Sequence, residues 1–336
     1  MIKTKILLIC CVNREIGIGH LSRLLALADK LKFYYGLSLE FLIFGDYCVT
    51  RELSTYKINN YILDSNILDI TRKHLESEKR TILVFDLHKS CFFLDKNFKR
   101  LLLLAKKDDI PVVSIGNFIE HCELLDLIWI PSFHFDISPY RNCPSIIRSG
   151  WDTLLIQKRN QLVKWRPGKK VLILTGGSDV ANLGKSLPKE IDNLSETNIE
   201  LNWVKGPFSE EPSLPKNPKL KWITHDSPEN LDDLIVSCNY AITVFGVSFF
   251  EIIQYGIPCV VFSPYGTRDL DEFKALEKEN IASIAKDYQE ITNELSILMK
   301  SETLAKKYSK NSLKKMSKNG ATLLAQEISK LEKKEE

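Results

Sequence analysis

The stretch KILLICCVNREIGIGHLSRLLALADKL, residues 5–31, decides the fold. Lys5 to Val12 is a continuous apolar run, the pattern of a strand buried on both faces. Leu21, Leu24, Leu25, Ala28 and Leu31 then recur at helical spacing, and Gly36 supplies a C-terminal stop. Gly17 and Gly19 therefore belong to a tight strand-to-helix turn, with His20 at the helix N-terminus. Such a turn aims backbone N–H groups at an anion or a bound ligand. His20 reads either as a neutral histidine packed at the turn or, because the helix dipole disfavours an imidazolium there, as a proton acceptor and candidate general base. Arg23, three residues on, shares its helix face and brings positive charge.

Working outward, the chain has 336 residues, 44% of them hydrophobic, which is room for two domains. The formal net charge is +3 and the basic residues are dispersed, so no nucleic-acid partner is expected. Eight cysteines occur without a CxxC pair, and Cys10, Cys11 and Cys259 lie inside apolar runs. That usage suits a reduced, cytoplasmic protein. The apolar run near the start, Ile6 to Val12, is far shorter than the ~20 residues that span a bilayer. It leads into the glycine turn without a cleavage site, so neither a transmembrane nor an export segment is expected.

Strand-like runs fall near 5–12, 39–45, 60–64, 81–86, 111–115 and 126–130, with helical patterns at 21–35, 67–79 and 93–107. The second half restarts the alternation with strands near 171–174, 200–204, 220–223, 240–244, 258–262 and 282–285. A final helix is expected from about 303 to 333. This pattern predicts an α/β protein of two doubly wound, Rossmann-like domains with parallel sheets facing a central cleft. The divisions are 1–156, a polar linker at 157–170, a second domain at 171–302, and a C-terminal helix at 303–336.

Two further glycine turns follow apolar strands. One is Gly176-Gly177-Ser178-Asp179, with Asn182 just beyond; the other is Gly246-Val247-Ser248. Both suit a phosphate at a helix start, or else are purely structural turns. Neither the dinucleotide fingerprint nor a P-loop is present. Ser248 and Glu251 fit a capping box; alternatively Glu251 accepts hydrogen bonds from a ribose diol. Asp86 ends an apolar strand with His88 just after it, a place from which a carboxylate orients a histidine, binds a sugar hydroxyl or caps a helix. No histidine shows metal-ligand spacing, and neither metal nor other cofactor is expected.

Several segments together resemble a known family. GIGHLSR is similar to the G-x-G-H-x-x-R start of the UDP-sugar hydrolases of pseudaminic acid biosynthesis, whose relatives include spore-coat polysaccharide proteins. LTGGSDVANL resembles that family's G-G-[ST]-D-x-x-N-L, over Gly176, Gly177, Ser178, Asp179 and Asn182. ITVFGVSFFEIIQYGIPCVVF is similar to its S-x-x-E helix, and VFDLHKS occupies the place of a D-x-Y segment. The resemblance implies a GT-B fold and a metal-independent enzyme of polysaccharide or nonulosonic acid biosynthesis. UDP would lie near Gly177, Ser178 and Ser248, its ribose near Glu251. His20, with Asp86 and His88 as further catalytic candidates, would activate water at the anomeric carbon while UDP leaves. The alternative it allows is transfer from a UDP-sugar to a cell-surface glycan acceptor. A third reading is a nucleotide-sugar-binding protein without chemistry.

Overall fold

The computed structural model describes residues 4–13, 16–45, 61–63, 71–73, 81–88, 95–158, 160–194, 196, 198–228, 230–263 and 266–332. The chain divides into two compact units: Met1–Gln157 with Lys318–Glu336, and Lys158–Ser317.

The first unit is built on a seven-stranded sheet. Its strands are β1 (Lys5–Val12), β2 (Ser38–Gly45), β3 (Tyr61–Leu63), β4 (Thr81–Asp86), β5 (Val112–Ile115), β6 (Leu127–Ile130) and β7 (Ile146–Ser149). They lie in the order β3-β2-β1-β4-β5-β6-β7, every pair parallel. β1 and β4 at the centre are buried almost throughout because helices cover both faces, which is why they read as unbroken apolar runs. Helix α1 (Gly19–Tyr35) buries Leu21, Leu24, Leu25, Leu27 and Leu31 and ends at Gly36 in the left-handed conformation (φ 62°). Against the sheet, α2 (Asp95–Lys107) inserts Phe98, whose ring meets Phe85 at 5.1 Å and Phe118 at 4.3 Å.

Most of the expected helix at 67–79 and part of the strand at 60–64 lie outside the described residues; 71–73 are helical and 61–63 form β3. Strand β7 is an addition. Its residues alternate between exposed and half-buried at the sheet edge, a weaker signal than a buried run. Ser145 secures its start by donating to the Leu125 carbonyl at 2.6 Å.

The second unit holds β8 (Lys170–Leu174), β9 (Glu200–Lys205), β10 (Lys221–Asp226), β11 (Tyr240–Val244), β12 (Cys259–Phe262) and β13 (Ser283–Ala285). Their order is β10-β9-β8-β11-β12-β13, again all parallel. Around them run α3 (Leu183–Ile191), α4 (Leu231–Ser237), α5 (Val247–Ile253), α6 (Leu270–Glu279), α7 (Tyr288–Lys300) and α8 (Glu302–Lys315). The polar stretch expected as a linker packs as part of this unit. Trp165 is buried within it and donates from Nε1 to the Asn239 carbonyl at 2.6 Å.

The single C-terminal helix expected over 303–333 is two helices. After α8 the chain breaks at 316–319 and resumes as α9 (Gly320–Glu332), which belongs to the first unit and packs on α1. A Cβ at Gly320 would stand 2.4 Å from the Leu154 carbonyl oxygen, so the helix start lies directly on backbone. Among the described residues, no helix is long and apolar enough to cross a membrane.

Candidate active site

In each sheet the strand order reverses at one point, between β1 and β4 in the first unit and between β8 and β11 in the second. Open α/β sheets bind ligands beyond the carboxyl ends of the strands at such a reversal. The candidate residues of both units fall there.

In the first unit, β1 delivers the turn. Gly17 (φ 74°) donates its N–H to the Asn13 carbonyl at 2.8 Å, and the Asn13 side chain accepts from Ile16 N–H at 2.8 Å. Asn13 is a part of this turn that the sequence reading missed. Its only signal is a turn-favouring residue directly after a strand. Among the described residues no side chain caps the start of α1, and Gly19 and His20 are its first two residues.

His20 is buried, and its Nδ1 lies 2.6 Å from Oδ1 of Asp86. Asp86 ends β4, directly opposite Cys10 of β1 in the register, and is fully buried. Arg23 grips the same carboxylate with two donors, Nε to Oδ2 at 2.8 Å and Nη2 to Oδ1 at 2.7 Å. Three residues along α1, it reaches Asp86 from the helix face that also carries His20. Arg23 Nη2 also lies 3.0 Å from His20 Nδ1. A guanidinium only donates, so with Nδ1–H given to Asp86 that contact is not a hydrogen bond. The ring is thereby fixed in the tautomer that leaves Nε2 as its acceptor.

Burial alone would raise the Asp86 pKa, but the Arg23 guanidinium and then His20 outweigh it and hold the carboxyl below its ordinary range. Burial likewise works against the Arg23 charge, and Asp86 more than compensates, raising its pKa. Burial and then the Asp86 charge push the Cys10 thiol well up, against a partial offset from Arg23, so Cys10 is an inert part of the wall. His88, half-buried two residues past β4, sets its ring edge-on to His20 with centroids 6.0 Å apart. His20, Arg23, Asp86 and His88 thus converge in one cluster.

In the second unit the two glycine turns leave adjacent strands. Leu174 of β8 pairs with Thr243 of β11, whose hydroxyl donates to the Leu174 carbonyl at 2.9 Å. Gly176, Gly177 and Ser178 are half-buried in the first turn. The carboxylate of Asp179 accepts from the N–H groups of Leu183 (3.0 Å) and Gly184 (2.8 Å). Burial nonetheless raises the Asp179 pKa against the pull of those donors. Asp179 thus serves the start of α3 from outside the helix. Asn182, in the left-handed conformation (φ 51°), is the exposed N-cap residue of α3.

A second residue missed by the sequence reading is Gly206, just after β9. A Cβ there would stand 2.3 Å from the Gly176 carbonyl oxygen and 2.5 Å from that of Gly177, so only glycine fits. Phe208 N–H then donates to the Gly177 carbonyl at 2.8 Å, tying the two loops together.

The capping box expected from Ser248 and Glu251 does not form. Gly246, at φ 148° and ψ −159°, is the N-cap of α5, which moves the helix start two residues ahead of Ser248. That backbone is strained for any L side chain. Ser248 and Glu251 both lie inside α5 and are half-buried. Among the described residues, no group of three or more His, Cys, Asp or Glu side chains is arranged to hold a metal ion.

No family model and no curated protein matches the sequence. Solved structures do match in fold. MurG of Acinetobacter baumannii is 14% identical, with a TM-score of 0.63 over 97% of this chain and 99% of that one. CalG4, the calicheamicin glycosyltransferase, is 13% identical, with a TM-score of 0.67 over the whole of both chains. The spinosyn forosaminyltransferase SpnP is 13% identical, with a TM-score of 0.67 over 99% of this chain and all of that one. With two Rossmann-like parallel-sheet units and this likeness along its full length, the chain has the GT-B fold of those glycosyltransferases.

Proposed function

We propose that this protein is a glycosyltransferase that moves a sugar from a UDP-sugar to a hydroxyl of a glycan acceptor, with His20 as general base. The observation that carries the reading is the His20–Asp86–Arg23 cluster at the strand-order reversal of the first unit. A histidine whose Nδ1–H is held by a buried carboxylate presents Nε2 as a base in a fixed direction.

In the proposed step, His20 Nε2 takes the acceptor's hydroxyl proton as its oxygen attacks the anomeric carbon. The bond from that carbon to the diphosphate oxygen breaks, and UDP leaves with the electron pair. Asp86 keeps the ring in its tautomer and offsets the imidazolium that forms. Arg23 keeps Asp86 ionised. His88 lies edge-on to the His20 ring. In the second unit, N–H groups of the turns at Gly176–Ser178 and Gly246–Ser248 would receive the diphosphate, and Glu251 the ribose hydroxyls.

Hydrolysis, with water in the acceptor's place, is the second reading. It is favoured by the meeting of His20, Arg23 and Asp86, residues of the segments that resemble those of the UDP-sugar hydrolases. UDP release from a panel of UDP-sugars, with and without surface-glycan fractions, separates the two. Release that rises with an acceptor and falls in His20→Ala supports transfer. Steady acceptor-independent release that His20→Ala abolishes supports hydrolysis. UDP-sugar binding without turnover under every condition defeats both and favours a binding protein.

A further inference from the structure

The buried face of α1 ends at Leu31, yet the helix runs on to Tyr35. That extra turn carries three aromatic residues in succession, Phe33 81% exposed, Tyr34 54% and Tyr35 37%. Their rings meet one another: Phe33 and Tyr34 edge-on at 4.8 Å, Tyr34 and Tyr35 at 6.4 Å. Aromatic side chains carry a large apolar payload, and three exposed in contact make one continuous patch rather than scattered apolar residues.

The charges nearest it in the chain are two lysines and one exposed carboxylate, Asp29, a turn before Phe33. Lys30 lies on the helix surface beside Phe33 and Tyr34, at the i+3 and i+4 spacings, and Lys32 is exposed in the last turn. Of the acidic residues nearest in the chain, Glu40 is matched by a cation, whereas Asp29 keeps its charge and leaves the two lysines in a slight excess. Asp29 accepts from Gln157 Nε2 at 3.3 Å, and Glu40 pairs with Lys5 at 2.5 Å.

We infer that the last turn of α1 docks the protein onto an anionic lipid surface, with the three rings at headgroup depth and the two lysines against lipid phosphates. Two arguments favour this occupant over a second copy or a protein partner. The rings offer about 350 Å² of exposed surface, against roughly 800 Å² per partner in a stable protein interface. Phenylalanine and tyrosine flanked by lysine is also the composition that settles at a membrane–water boundary, where the ring is buried and the phenol hydroxyl stays wet. The patch is far from the chemistry. α1 runs from the carboxyl end of β1 back to the amino end of β2 at Ser38, so its last turn and His20 lie at opposite edges of the sheet.

Co-sedimentation of the full chain with vesicles tests the inference. The two compositions are phosphatidylcholine alone and an equal mixture with phosphatidylglycerol. Wild type is expected to sediment with the mixed vesicles only. Phe33→Ser/Tyr34→Ser/Tyr35→Ser is expected to remain in the supernatant. Lys30→Gln/Lys32→Gln keeps every aromatic contact and should weaken partitioning roughly thirtyfold, two lysines at about fivefold each. Circular dichroism and melting of each variant report that it is folded, and the lysine pair decides the matter if the aromatic variant is not. Wild type that ignores the mixed vesicles, or lysine variants that bind them as well as wild type, would overturn the inference. So would a dimer in light scattering that the aromatic variant converts to monomer, since the patch would then be covered by a second copy. None of these outcomes depends on transfer or hydrolysis.

Discussion

The two units place their candidate residues at the same topological position but build them from different materials. At the β1–β4 reversal the first unit concentrates ionisable side chains: a buried carboxylate, a guanidinium gripping it twice and a histidine it orients. At the β8–β11 reversal the second unit uses backbone, with two glycine turns, a glycine that no side chain could replace and one carboxylate serving a helix start. Side-chain charge moves protons, whereas backbone N–H groups receive a fixed anion without ordering any long side chain. If the first unit supplies the chemistry and the second the binding, as proposed, substitution should separate the two, one unit at a time.

The strongest test of that separation is His20→Ala. It should cut turnover roughly 10²–10⁴-fold while leaving UDP affinity, read by calorimetry, within twofold of wild type. Equal losses in both quantities would erase the contrast. Arg23→Met should follow, destabilising the fold by about 3–5 kcal/mol in denaturant melts because Asp86 is left as an uncompensated buried charge. The acid limb of stability sharpens the same point. The Asp86 carboxyl is held below its ordinary value of 3.8, so its contribution is complete above that value and is lost as pH falls through the lower, folded value. Asp86→Asn should therefore flatten the acid limb of a pH–stability profile below about pH 4. An unchanged limb would mean that other carboxylates govern it.

In the second unit the expected effects are smaller and fall on binding. Gly206→Ala forces the glycine turn aside, costing about 1–3 kcal/mol of stability and weakening UDP binding, with the His20-dependent step per bound substrate unaffected. Asp179→Ala removes the donor-satisfying carboxylate at α3 and should cost about 1 kcal/mol by thermal melts. A loss of turnover out of proportion to binding in either variant would mean that the second unit also shapes the chemistry.

Much of the sheet architecture was legible because its central strands are buried on both faces and read as apolar runs: Lys5–Val12, Thr81–Asp86 and Val171–Leu174. Strand β7 was not, since an edge strand that alternates between exposed and half-buried looks like loop. His20, Arg23 and Asp86 were each recognisable as candidates, but their contact depends on β4 lying beside β1, a long-range pairing no local pattern encodes. Of the two readings kept for Ser248 and Glu251, the capping box fails for a local reason. Ser248 and Glu251 have the right spacing, yet the backbone of Gly246 starts the helix earlier. Gly206 was passed over because a glycine between Lys205 and Pro207 looks like ordinary loop punctuation, and only its distance from two carbonyls reveals the constraint.

Helix α9 makes the first unit discontinuous: its sheet comes from the start of the chain and its last helix from residues 320–332, with the whole second unit in between. The second unit is an unbroken segment, whereas the α1 face that α9 covers finds its partner only beyond the whole of that segment. The α1–α9 contact is thus one of high sequence separation, the kind that lowers folding rate more than stability. A chain cut after residue 317 should therefore leave the second unit intact, bare the apolar face of α1 and make the first unit prone to aggregate.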